Sequence, residues 1–300
     1  MSKTNIINKD ENTDFLERKL FRIQQIFNDI KKEIETLKQN LETKKKESVN
    51  LKKTGSKCLE SGKEYEKKVF EMVKDCTINN KPFNTQNEEE LGGSSCRNDI
   101  ECDFQGKKIG IECKAKLKTE YIQVDIHLDE NNEWAGPTKR TKKSHPQSVV
   151  ERYLKEVNKK SNLFYGNPPP FKNFKTIEEF YIWERDFLKK KKENGDGEKK
   201  DYRWYIDTPD FVAKNYKEKG NSYIQIKGQG LYYLESDVCN FGVPKFNPKK
   251  IELRIRCKRR GKQGCIPSSL TVSAWVSELD ESRYSLDDKD KLPQSLKLNC

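Results

Sequence analysis

The fold class this sequence predicts is mixed α/β: a mixed β-sheet flanked by helices, with a coiled-coil helix at the N-terminus. Three observations predict it. A heptad seam of apolar residues lies near the N-terminus, and two strictly alternating runs flank a short turn around Gly106. Helical and strand periodicities then succeed one another to the end of the chain.

The seam comes first. Leu16, Leu20, Ile23, Phe27, Ile30, Ile34, Leu37 and Leu41 follow in steps of four and three, with no Gly or Pro among them. So narrow a stripe cannot be buried by one helix alone. A homodimer, another protein, or the rest of the same chain would each cover it. Lys44 and Ser48 take the next core positions, so the seam should fray there, and Lys52–Lys57 with Gly55 reads as a hinge. The expected division is a helix over 1–54 and a globular domain over 58–300, with an insertion at about 129–220.

Composition agrees. Charged residues make up 36% of the 300 positions and hydrophobic ones 33%, which excludes a single core filling the whole chain. No apolar run is long enough to span a bilayer. The first residues lack the apolar stretch of a signal peptide, so an intracellular location is expected. The nine cysteines are scattered and form no C-x-x-C pair, which favours free thiols over disulfides or structural zinc. A net charge of +12 fits a polyanionic partner.

The central run Leu91–Leu117 carries the chemistry. Polar and apolar residues alternate from Asp99 to Phe104 and again from Ile109 to Lys114. With Gly106-Lys107 as the turn, Ile100, Cys102, Phe104, Ile109, Ile111 and Cys113 share an apolar face. In that register Glu101 opposes Glu112 on the other face, and Asp99 opposes Lys114. Like charges directly opposed destabilise a sheet. A hard divalent cation would relieve them, since Mg²⁺ is held by one or two carboxylates. An ordinary solvated face remains the alternative.

Asp99 followed after twelve residues by Glu112-Cys113-Lys114 resembles the PD-(D/E)XK nuclease core, shared by restriction endonucleases and Holliday-junction resolvases. The preceding helix is similar too: Gly62, Tyr65 and Glu66 match the family's G-x-x-aromatic-E form, which selects Glu66 over Glu64. The loop Gly92-Gly93-Ser94-Ser95 also resembles family members. Asn98 stands where the family name has Pro. The resemblance covers roughly residues 58–127. It implies a restriction-endonuclease-like core and Mg²⁺-dependent DNA cleavage, more endonuclease than exonuclease, with Mn²⁺ able to substitute. Asp99, Glu112 and the main-chain carbonyl of Cys113 would hold the cation. Lys114 would orient the nucleophile or stabilise developing charge, Glu66 would act on the metal's outer shell or the water, and Gln123 would lie on the next element.

The remainder is read from pattern. Gln147–Asn158 and Phe174–Phe187 have helical character, Lys189–Asp201 reads as a polar linker, and Ser222–Lys227 and Leu231–Leu234 form a hairpin. Lys139–Lys143 is a basic cluster that suits either phosphates or a solvated loop. Ile251–Lys258 alternates so that Arg254, Arg256 and Lys258 share one face and lead into Arg259, Arg260 and Lys262. Same-face cations are costly unless a polyanion or carboxylates oppose them. A DNA-backbone track is the expectation, with a charge-protected edge as the other reading. Residues after Asp280 are expected to be peripheral. The rival function is a non-catalytic, basic coiled-coil protein that binds or packages nucleic acid.

Overall fold

The computed structural model describes residues 7–74, 76–83, 98–131, 133–137, 145–160, 162–169, 174–258 and 269–298. The chain divides into two units, Met1–Glu60 and Ser61–Cys300.

One helix, α1 (Ile7–Lys74), makes up the described part of the first unit and continues into the second. It runs unbroken through Lys44–Lys57, where the sequence predicts fraying and a hinge. Lys, Glu and Leu around Gly55 are strong helix formers, and one Gly costs only about 1 kcal/mol. Leu16, Leu20, Ile23, Phe27, Ile30, Ile34 and Leu37 are all exposed, and so are Phe15, Phe21 and Ile26 beside them.

The second unit is mixed α/β. Its four-stranded sheet has the order β3 (Ile100–Phe104), β4 (Lys107–Lys114), β8 (Asn221–Ile226), β9 (Gly230–Tyr233). Strands β4 and β8 are parallel, and the outer pairs are antiparallel. An antiparallel five-stranded sheet has the order β6 (Trp134–Ala135), β5 (Glu120–Leu128), β11 (Ser269–Glu278), β10 (Lys250–Lys258), β7 (Asp201–Ile206). A small sheet joins β12 (Leu296–Leu298), β1 (Cys76–Ile78) and β2 (Lys81–Pro82). The shorter helices are α2 (Gln147–Asn158), α3 (Ile177–Glu193) and α4 (Phe211–Glu218).

The four-stranded sheet separates two cores because its side chains alternate. Ile100, Cys102, Ile109, Ile111, Cys113 and Tyr223 pack with Tyr65, Val69, Phe70 and Val73 of α1. Each such buried side chain contributes about 1.5–3 kcal/mol. On the other face, Ile224, Ile226 and Tyr232 pack with α2, α3, α4 and the inner face of the five-stranded sheet. Phe180, Trp183 and Phe187 of α3 belong to this core.

Two expectations change here, the hairpin register and the peripheral tail. The hairpin turn is Gln105-Gly106, both at positive φ (53° and 76°), and not Gly106-Lys107. Ile100 therefore pairs with Ile111, and Glu101 meets Gly110 instead of Glu112. A two-residue loop with both positions left-handed matches the twist of the strands. Among the described residues of the expected insertion at about 129–220, β7 pairs with β10 and α4 packs against β8 and β5. The tail after Asp280 is docked: Ser282, Ser285, Leu286 and Leu296 are buried, and β12 pairs with β1.

Candidate functional site

The β3–β4 hairpin positions the acidic residues. Asp99 immediately precedes β3, one step beyond the Ile100–Ile111 pair and therefore level with Glu112. Its Oδ2 accepts the Cys113 backbone N–H at 2.8 Å. Glu112 and Lys114 leave β4 on the face opposite Ile111 and Cys113, at the carboxyl ends of the parallel β4–β8 pair. Ligands of open α/β sheets gather at such strand ends.

Glu112 is almost fully buried, its side chain 5% exposed. Its Oε1 accepts from the Lys114 ammonium at 2.6 Å. Its Oε2 is buried, and among the described residues it has no hydrogen-bond partner. A buried acceptor of this kind costs about 1–3 kcal/mol unless a ligand or water satisfies it. The Lys114 ammonium lies 5.4 Å from the Tyr216 ring and 5.9 Å from that of Tyr121.

Electrostatics tie the cluster together. Burial and then the neighbouring Glu112 raise the Asp99 carboxyl, while Lys114 and the Cys113 N–H work against the rise. Glu66 on α1 is raised by burial and also feels Glu112 and Lys114, so α1 delivers it to the same cluster. Burial opposes the charge on Lys114, yet Glu112, Tyr216 and Asp99 hold it well above the ordinary lysine value. Burial pushes the Cys113 thiol well above its usual range, and its side chain packs in the α1 core, so only its main chain faces the acids.

A glycine makes room for this arrangement. A Cβ on Gly110 would come within 2.5 Å of the Asn98 side chain and of the Gly220 carbonyl. The residue next to Asp99 thus packs directly on β4.

The structure brings Asp99, Glu112, Lys114 and Glu66 together. Gln123 sits on β5 opposite Ser273, and its main-chain carbonyl lies 2.8 Å from His145 Nε2. Tyr216, Tyr121 and Asn98 belong to the site but were not among the sequence candidates. Tyr216 lies on α4, directly before the strand that pairs with β4, in a stretch whose apolar residues Phe211, Val212 and Tyr216 fall at helical spacing.

Arg254 and Arg256 have carboxylate neighbours. Arg254 bonds Asp201 and, at 3.2 Å, Glu120, and Arg256 reaches Glu120 at 3.0 Å. Arg254 also stacks over Trp275, 5.0 Å from the ring centre. Carboxylates from β5 and β7 thus oppose these cations, the condition under which they need no polyanion. The Lys258 side chain and Arg259, Arg260 and Lys262 lie outside the described residues, as do Gly92–Ser95 and Lys139–Lys143.

Among the described residues, no group of three or more His, Cys, Asp or Glu side chains has the arrangement to hold a metal ion. Two carboxylates and a main-chain carbonyl form a smaller set, which suits Mg²⁺ because that ion keeps several waters. The orphaned Glu112 Oε2 beside Asp99 fits such an ion. No helix among the described residues is long and apolar enough to cross a membrane. No family model, curated protein or solved structure matches the chain.

Proposed function

We propose that this chain is a divalent-cation-dependent DNA endonuclease with a restriction-endonuclease-like core, acting inside the cell. One observation carries the reading. Glu112 is buried with one oxygen on Lys114 and the other without a partner, next to a second carboxylate whose ionisation burial and Glu112 both resist. A divalent cation held by Asp99 and Glu112 would offset their repulsion and satisfy the free oxygen.

Asp99, Glu112 and the Cys113 carbonyl would hold Mg²⁺ or Mn²⁺, which when bound lowers the pKa of a water and neutralises phosphate oxygens. Asp99 is oriented for this by its bond from the Cys113 N–H. Lys114 keeps a protonated ammonium beside the reacting phosphate, where it offsets developing negative charge. Glu66, with its raised carboxyl, can hold or pass a proton on the water side. Arg256, Lys258, Arg259, Arg260 and Lys262 remain candidates for contacts to the DNA backbone, whereas Arg254 is committed to Asp201 and Glu120.

The exposed heptad seam of α1 supports a homodimer, which would present two cleavage centres to one duplex. Glu33 and Lys38 flank the seam at positions that attract across a parallel pair. Light scattering tests this: a dimer that becomes monomeric in Ile30→Lys supports it, and a monomeric wild type refutes it.

Plasmid nicking tests the activity. Cleavage that requires Mg²⁺ and is lost in Asp99→Ala and Glu112→Ala is expected. Salt-sensitive binding without metal-dependent turnover would favour a packaging role instead.

A further inference from the structure

A cleft of about 560 Å³ opens between the part of α1 in the second unit, the turn from β8 to β9 and the tail after Asp280. That volume is in the range of small-molecule sites. The cleft neighbours the acidic cluster through Lys227, which lines it. The Lys227 N–H donates to the Lys114 carbonyl at 2.9 Å, and its ammonium lies 5.9 Å from the ring of Tyr65, the residue directly before Glu66. Tyr65, Lys68 and Met72 fall at i, i+3 and i+7, so one face of α1 carries both this ring and a wall of the cleft.

Buried hydrogen bonds hold the walls together. Gln225 is fully buried; its amide donates to Tyr65 Oη at 3.0 Å and to Ser285 Oγ at 2.8 Å, and its carbonyl accepts the Leu286 N–H at 2.9 Å. One side chain thus ties α1, β8 and the tail, and a satisfied buried network of this kind is rigid. Gly230 closes the turn against the tail: at φ 103°, a Cβ there would stand 2.5 Å from the Tyr284 carbonyl.

The unspent charge in the cleft is positive. Lys68, Lys227, Lys289 and Lys291 line it, and among the described residues none of their ammonium groups pairs with a carboxylate. They outnumber three acids, Glu281, Asp287 and Asp288. Two of those already accept from the tail itself, Asp287 from the Ser285 hydroxyl and Asp288 from the Asp290 N–H at 3.1 Å. Unpaired ammonium groups around a rigid cleft suit a phosphate, which lysine binds as a point charge.

We propose that this cleft binds a phosphate group, with Lys227 and Lys68 as its contacts. Its position favours a backbone phosphate of a nucleic-acid strand reaching Asp99 and Glu112, and that source rests on the nuclease reading above. Free phosphate is the other source of the same chemistry.

Anisotropy of a labelled duplex, in EDTA so that nothing is cleaved, is followed against salt. Wild type is compared with Lys227→Gln, with the double variant Lys68→Gln/Lys227→Gln, and with Lys81→Gln, an exposed lysine of β2 outside the cleft. Each lysine–phosphate contact contributes about 0.9 to the slope of log affinity against log salt. The double variant should lose about 1–2 from that slope and bind about tenfold more weakly, while Lys81→Gln keeps the wild-type values. Calorimetric titration with sodium phosphate separates the sources. Phosphate binding that the double variant loses, with its duplex binding unchanged, supports the site and assigns it to free phosphate. A double variant equal to wild type in both titrations overturns the proposal. So does a Lys81→Gln that loses as much duplex affinity and slope as Lys227→Gln, because the charge then acts diffusely. A wild type whose duplex binding needs the two lysines but which never nicks plasmid refutes the nuclease reading and leaves the cleft a phosphate site.

Discussion

Replacing Asp99 by Asn should stabilise the metal-free protein while destroying its response to metal. In the native site, burial and Glu112 push the Asp99 carboxyl up to about 8. At pH 7 it is then held protonated about three pH units above the ordinary aspartate value; at about 1.4 kcal/mol per unit, the cost to folding is bounded near 4 kcal/mol. An Asn keeps an oxygen for the Cys113 N–H but still buries a polar amide, so a net gain of about 1–2 kcal/mol is expected. For a domain of this size that is a rise in Tm of about 3–6 °C. The sign follows from linkage. A carboxyl raised on folding costs nothing below its unfolded pKa, and the penalty grows as pH rises toward the folded value. The advantage of Asp99→Asn should therefore be small near pH 4 and full near pH 8. Mg²⁺ should raise the Tm of wild type at pH 8 and leave the variant unmoved. Scanning calorimetry across this range decides the matter. A variant that melts at or below wild type at pH 8, in the absence of metal, would show that burying Asp99 carries no such penalty.

Other outcomes follow from the same geometry. Gly110→Ala forces a methyl to 2.5 Å from the Gly220 carbonyl and the Asn98 side chain; a loss of about 1–3 kcal/mol by urea unfolding is expected, with a blunted Mg²⁺ response. Asp201 works the opposite way to Asp99: burial opposes its charge, but Arg203 and Arg254 outweigh burial and hold its carboxyl below the usual range. Asp201→Asn should thus cost about 3–5 kcal/mol at pH 7, and the difference from wild type should shrink as pH falls through the depressed pKa, as acid titration of stability would show. Lys114→Ala should abolish cleavage and largely spare DNA binding, measured by anisotropy on a labelled duplex.

The hairpin shows what was legible in the sequence and what was not. Strict alternation from Asp99 to Phe104 and from Ile109 to Lys114 identified both strands and the apolar face correctly. It could not set the register, because a two-residue slip keeps every side chain on its face. Turn chemistry decided it, and Gln105 at positive φ carries no obvious signal. The partners of Arg254 were equally hidden: Asp201 and Glu120 are distant in sequence and arrive only when β7, β10, β11 and β5 assemble. Tyr216 reaches Lys114 only because α4 leads directly into β8. The tail after Asp280 looked peripheral because its buried residues are few. Its docking depends on the Gln225 amide, which donates to Ser285 Oγ at 2.8 Å and accepts the Leu286 N–H at 2.9 Å.

The proposed cation site at Asp99 and Glu112 is open to direct test. Crystals soaked in Mn²⁺ and measured at the manganese absorption edge test it most directly. An anomalous peak is expected between the two carboxylates, within about 2.3 Å of an oxygen of each. A map with no peak there, from crystals that bind Mn²⁺ elsewhere or not at all, would contradict it.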